Sequence, residues 1–182
     1  MKVNVFTVGY RCIRMMNPQY YYIGDGELRD AAEFSIRKYT RYEDLHVDYA
    51  YSCLGEQDLN GKHYLAKHWG ENYEIMNRIV TTDCCKKVLR HAKEDVNAAR
   101  AKRTPEINMV LMCRSGRHRS IAISRILRAC LDHAECKNGK NVNLSEGYWE
   151  GLCTTCDSCN SGAERRRRWA FDYAVNFWAG LK

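Results

Sequence analysis

The chain has 182 residues, 45% hydrophobic and 28% charged, with 2 prolines and 12 glycines, proportions that exclude a disordered, fibrous or low-complexity protein. Its 29 Lys and Arg outweigh 22 Asp and Glu for a formal charge of +7, which favours polyanionic or phosphorylated partners. The mean hydropathy of −0.58, with no apolar run near the ~20 residues of a membrane span, excludes membrane insertion by helices.

Residues 1–8 are too short and polar for a secretory signal and read instead as a buried strand over 3–8 (VNVFTV), followed by a Gly9-Tyr10-Arg11 turn. That reading implies an intracellular, cytoplasmic protein. A tyrosine-rich loop (Tyr20-Tyr21-Tyr22) and the Gly24-Asp25-Gly26 breaker lead to a helix over 27–39. Residues 45–51 alternate Leu45, Val47, Tyr49 and Tyr51 with other side chains, a strand signature. The stretch 53–69, with Gly55 and Gly61, reads as a loop.

Helices are expected over 71–80 and 83–103. In the second, Cys85, Val88, Leu89, Ala92, Val96 and Ala99 form one apolar face, and Thr104-Pro105 stops it. Residues 107–112 (INMVLM) are continuously apolar, as in a parallel strand covered on both faces. A helix follows over 119–134, then an Asn138-Gly139 turn and a short strand over 140–144.

This order gives an α/β domain over 1–145: an open, mostly parallel sheet of about four strands with flanking helices. Residues 146–182 add a Cys-rich segment and a C-terminal amphipathic helix over 163–181. Trp169, Ala170, Phe171, Ala174, Phe177, Trp178 and Leu181 are expected to dock that helix on the body.

The segment from Val110 to Ile121 concentrates the chemistry. An apolar strand enters a glycine-containing turn and a helix starts beyond it, so backbone N–H groups and the positive end of a helix dipole face one concavity. Arg119 can grip phosphate oxygens bidentately, and His118 and Ser120 can donate further bonds. No acid lies between Glu106 and Asp132, whereas Arg114, Arg117, Arg119, Arg125 and Arg128 do. The alternative is a basic turn whose arginines are merely solvated.

Two families share this pattern. Cys113 to Arg119 spells C-x-x-G-x-x-R before Ser120, which resembles the signature of cysteine-dependent tyrosine phosphatases. That resemblance implies Cys113 as nucleophile and Arg119 as phosphoryl clamp. Met112 stands where that family usually has histidine, and no segment resembles its general-acid loop.

Gly116-Arg117-His118-Arg119-Ser120 also resembles the G-x-H-R-S core of the C-terminal domain of RapZ, the bacterial RNase adapter family. Val8-Gly9-Tyr10-Arg11 is similar to its first-strand turn, with Arg11 in the lysine place. Leu45-His46-Val47-Asp48 resembles its second strand, which ends in an aspartate, while Ala50 replaces an arginine. The resemblance implies an α/β module that binds a phosphosugar-like anion or RNA. Its pocket would be lined by Arg11, Ser115, Gly116, Arg117, His118, Arg119 and Ser120. The family's nucleotide-binding domain is not matched: His63 follows Gly61-Lys62 where a phosphate loop needs Ser or Thr.

Ten cysteines without a signal peptide read as free thiols and a possible metal site rather than as a disulfide framework. Cys153, Cys156 and Cys159, spaced C-x2-C-x2-C, offer three thiolates to a structural zinc, with Cys136 or His133 as fourth-ligand candidates. Cys85 reads as a small core residue. Arg165-Arg166-Arg167-Arg168-Trp169 reads either as a phosphate-backbone contact or as the solvated end of the last helix. His68-Trp69 and Tyr20-Tyr21-Tyr22 read either as the lining of a ligand groove or as ordinary surface aromatic loops.

Overall fold

The structure, a computed structural model, describes residues 1–10, 25–39, 42–54, 68–114, 116–144, 153, 156–159 and 164–182. Arg11, Ser115, Tyr20-Tyr21-Tyr22, Gly55 and Gly61-Lys62-His63 lie outside the described residues. In chain order the elements are β1 (Lys2–Gly9), α1 (Asp25–Tyr39), β2 (Tyr49–Ser52), α2 (Tyr73–Ile79), α3 (Asp83–Ala101), β3 (Glu106–Cys113), α4 (Arg119–His133), β4 (Lys137–Leu144) and α5 (Glu164–Gly180).

The four strands form one all-parallel sheet in the order β2-β3-β1-β4. A right-handed crossover from β1 past β3 to β2 puts α1 on one face. The connections from β2 to β3 and from β3 past β1 to β4 run the other way and put α2, α3 and α4 on the opposite face. Period-two alternation supplies both cores. Phe6, Val8, Val110 and Met112 pack under Leu28, Ala31, Ala32 and Ile36 of α1. Val3, Val5, Ile107, Met109, Leu111 and Cys113 meet the other helices. The continuous apolar run of β3 is thus explained by burial on both sides.

The long helix α3 carries the expected face: Cys85, Val88, Leu89, Ala92, Val96 and Ala99 are all buried. Thr82 caps it by accepting from the Cys85 amide, and Arg103 at φ 56° turns the chain out ahead of Pro105.

Three local expectations are corrected. The second strand is Tyr49–Ser52, not 45–51, because Leu45 and Val47 pack against α1 as an unpaired lead-in. Asp48 therefore precedes the strand rather than ending it. It exchanges two bonds with Asn108, accepting from that amide at 2.7 Å and donating its own N–H at 3.0 Å. Asn108 is paired with Asn4 near the start of β3, roughly 15 Å of strand from Cys113.

The second correction concerns Asn138-Gly139, which lies inside β4. The register slips between Val3 and Val5 there, and a Cβ on Gly139 would collide with the Asn4 side chain and stand 2.8 Å from the Val3 carbonyl. Glycine here serves a close approach and a bulge, not a turn. The turn falls earlier, at Ala134 and Glu135, the latter at φ 56°.

The third concerns α5. Ala170, Ala174 and Trp178 dock as expected, and Lys93 donates to the Trp178 and Leu181 carbonyls at the helix end. Trp169, however, is 51% exposed, and Arg167 is the fully buried member of the arginine run at 2%. No described helix is long and apolar enough to cross a membrane.

Candidate functional site

Register pairing sets Gly9 beside Cys113, so β1 and β3 end together at the carboxyl edge of the sheet. Chain crossovers leave this edge in opposite directions, the position where open α/β sheets form a crevice. From Cys113 the chain turns through Arg114 and Gly116 into α4. Gly116 has φ 71°, a conformation that glycine adopts without steric cost. His118 is the N-cap, and its own side chain makes no capping bond to the first turn of α4. The first N–H groups of a helix have no intrahelical partner, and they carry its positive dipole end.

The two ends of the turn are tied together. Cys113 is 2% exposed, and its Sγ lies 3.2 Å from the Ser120 hydroxyl, which is also buried. Cys53, next to it across the β2–β3 pairing, donates its amide to the Met112 carbonyl at 2.6 Å. Its thiol is held well above the ordinary range by contact with Cys84 and then by burial.

The acid-free window of sequence does not stay acid-free in space. Arg125 pairs with Glu71 at 3.3 Å and Glu164 at 3.9 Å, and Arg128 donates to Asn138 and to the Lys140 carbonyl of β4. Those two arginines are structural. Burial, followed by the neighbouring Arg125 charge, lowers the pKa of Arg128. The cations on the turn itself are Arg114, exposed, with Arg117 and Arg119, half-buried.

The His118 ring bonds to the backbone of the 68–70 segment. Its Nε2 lies 2.9 Å from the His68 carbonyl, which can only accept, so Nε2 carries the proton. The Gly70 amide donates to the Arg117 carbonyl at 2.9 Å. A Cβ on Gly70 would collide with the His118 carbonyl and stand 2.8 Å from the Ile121 Cβ. The 68–70 segment is therefore in backbone contact with the turn.

That segment also begins a second centre. His68, Cys153, Cys156 and Cys159 bring four ligand atoms within 4.8 Å of one another, and this group could hold a metal ion such as zinc. His68 Nδ1 is 3.2 Å from Cys159 Sγ and 3.6 Å from Cys156 Sγ. A tetrahedral zinc with N and S ligands spaces neighbouring donors by about 3.5–3.8 Å, and the two contacts of His68 lie close to that spacing. The fourth donor is His68, not Cys136 or His133. Cys136 accepts from Arg100 at 3.3 Å and is buried beside Ala134, outside this group.

Local structure builds the centre from several directions. A parallel bridge pairs His68 with Cys153, and the Tyr73 amide donates to the Ser158 carbonyl at 3.2 Å. Asn72 accepts from the amides of Glu74 and Ile75 to cap α2, and its Nδ2 donates to Cys159 Sγ at 3.5 Å. Arg167 donates from Nε to the Glu71 carbonyl at 2.6 Å and from Nη2 to the Cys159 carbonyl at 2.9 Å, and pairs with Glu164 at 3.0 Å. Burial and the facing thiols of Cys153 and Cys159 push the Cys156 thiol up to about 11. Three thiolates and an imidazole around a divalent ion carry a net charge of −1, which the buried Arg167 guanidinium opposes. Every described cysteine is a free thiol.

Comparison of the chain with protein families, with curated proteins and with solved structures finds no match in any of the three. The parts that His68 and Arg167 play at this centre are what sequence reasoning missed. A lone histidine far from a cysteine triplet carries no spacing signal, and one arginine among four carries no mark of burial.

Proposed function

We propose that this chain is a binding module for a phosphorylated ligand, a phosphosugar-like anion or RNA, gripped at the 113–120 turn, as the RapZ C-terminal resemblance implies. The carrying observation is the path of the main chain: β3 ends at the carboxyl edge of the sheet, Gly116 turns through the left-handed region, and α4 begins directly beyond it. Arg114, Arg117 and Arg119 stand on that turn, and an anion at such a helix start is stabilised by both the amides and the dipole. For RNA, exposed Arg165, Arg166 and Arg168 and the Trp169 ring, tilted against Tyr173 at 5.6 Å, supply further phosphate and base contacts.

The His68, Cys153, Cys156 and Cys159 group is read as a structural zinc, because four protein donors close the coordination sphere and leave no position for a substrate. It staples the segment ahead of α5 to the segment ahead of α2. Free thiols throughout the described core suit a reducing compartment.

Titration of the full chain with inorganic phosphate tests the binding reading. Saturable binding that weakens about tenfold or more in Arg119→Ala is expected, because a bidentate charged contact is lost. Absence of binding by phosphate, sulfate and a short RNA alike would remove the proposal.

A second reading, a cysteine-dependent phosphatase with Cys113 as nucleophile and Arg119 as clamp, is favoured by one contact, that of Cys113 Sγ with Ser120 Oγ. A hydroxyl there can donate to a thiolate. Turnover of p-nitrophenyl phosphate that Cys113→Ser abolishes would select this reading over the binding module.

A further inference from the structure

The metal centre and the phosphate turn share one strip of backbone. His68 supplies Nδ1 to the donor group and its own carbonyl to His118 Nε2. Two residues on, Gly70 donates to the Arg117 carbonyl and packs against the first turn of α4. The ring that would bind the ion and the peptide that holds the turn therefore belong to the same residue.

We propose that a zinc ion on His68, Cys153, Cys156 and Cys159 fixes the Gly116–Ser120 turn, so that anion affinity at the turn depends on metal occupancy. This rests on the reading of that turn as a phosphate site. It extends that reading by making the site metal-regulated.

Binding converts three thiols to thiolates, which donate electron pairs to the ion, and releases three protons to solvent; His68 donates the Nδ1 lone pair and keeps its proton on Nε2. No electron changes hands. Apart from the ion, Cys153 and residues 156–159 meet 68–73 through contacts that include the His68–Cys153 bridge, the Tyr73 and Asn72 bonds, and the Arg167 guanidinium that joins the Glu71 and Cys159 carbonyls. With it, the imidazole of His68 is locked at a fixed distance from three anchors. Its peptide is then constrained, and so is the acceptor for His118. A turn held in its binding conformation loses less entropy when the anion arrives, which is the physical source of the coupling.

Hydrogen exchange of the full chain, zinc-loaded, chelator-stripped and zinc-restored, tests the link directly, with inorganic phosphate titrated in parallel. Stripping is expected to speed exchange of amides 116–122 and to weaken phosphate binding about tenfold, within the usual range of coupling between sites. One equivalent of zinc restores both. If stripping unfolds the whole chain, zinc-loaded His118→Phe decides, since phenylalanine keeps the ring but cannot donate to His68. It should hold one equivalent of zinc, keep the α3 amides protected, and still show a faster-exchanging turn.

Unchanged exchange at 116–122, in stripped protein that remains folded or in zinc-loaded His118→Phe, would overturn the inference. So would failure of the chain to take up stoichiometric zinc. If zinc-loaded protein binds no phosphate while its turn still depends on the ion, the phosphate reading falls and the metal–turn link stands.

Discussion

Arg167 shows how one residue can reverse the meaning of a charge run. Four consecutive arginines suggest a solvated or nucleic-acid-facing stripe, yet the third points inward and satisfies the carbonyls of Glu71 and Cys159. Buried carbonyls that lose a charged donor cost free energy beyond the loss of the bond itself. Arg167→Ala is therefore expected to destabilise the protein by about 2–4 kcal/mol and to lower zinc affinity, read by denaturant melts and a chromophoric zinc chelator. Arg165→Ala, at an exposed site, should leave both measurements unchanged. Gly116 makes a second residue-scale claim. At φ 71° a side chain costs about 1–2 kcal/mol, less for asparagine than for β-branched residues. Phosphate affinity should fall in the order glycine, asparagine, alanine, valine at this position, and a flat series would show that the turn is not held in this conformation.

At the scale of elements, β4 depends on a point of close approach. Asn4 is 1% exposed and donates to Glu106 and Asn108, while its Oδ1 accepts the Lys140 amide at 2.6 Å. That last bond exists because Gly139 lets β4 pass the Asn4 side chain. Gly139→Ala must push β4 away from β1, with an expected loss of about 2 kcal/mol, typical of overpacking. Exchange of the β4 amides should rise more than that of β3, which pairs with β1 on the other side. Equal stability of the variant would mean that the bulge relaxes without cost. The Tyr51 hydroxyl, on β2, donates to Asp95 of α3 at 2.7 Å and ties that edge strand to the helix above it. Burial, then this bond, raises the phenol above its ordinary range. The folded state thus favours the neutral phenol, and the stabilisation is full below pH 10 and lost as the unfolded chain ionises above it. Tyr51→Phe should flatten that part of the alkaline stability profile.

At the scale of the molecule, the metal centre joins parts of the chain that are distant in sequence. His68 lies between β2 and α2, while the three cysteines precede α5. An ion that binds only the folded arrangement stabilises it by mass action, by about 2.7 kcal/mol at one hundred times the dissociation constant. For a chain of this length the melting temperature should rise by roughly 5–10 °C on zinc addition. Cys156→Ser should abolish most of the shift. An identical melting temperature with zinc and with chelator would remove the structural-zinc reading.

The sequence by itself determined the element order, the parallel sheet, the buried face of α3 and the position of the strand–turn–helix. Each of these is written in local periodicity and in a glycine or cap at a boundary, signals carried within one element. The cysteine triplet was legible for the same reason, since its donors are adjacent in the chain. Tertiary structure alone decided that His68 completes the donor group, that Arg167 rather than Trp169 faces inward, and that Gly139 marks a contact rather than a turn. It also decided that Arg125 and Arg128 are occupied by acids and carbonyls from other elements, and that Asp48 sits at the far end of β3 from the turn. Those outcomes depend on which surfaces meet once helices pack on the sheet. Contacts between residues tens of positions apart leave no periodic trace in the chain.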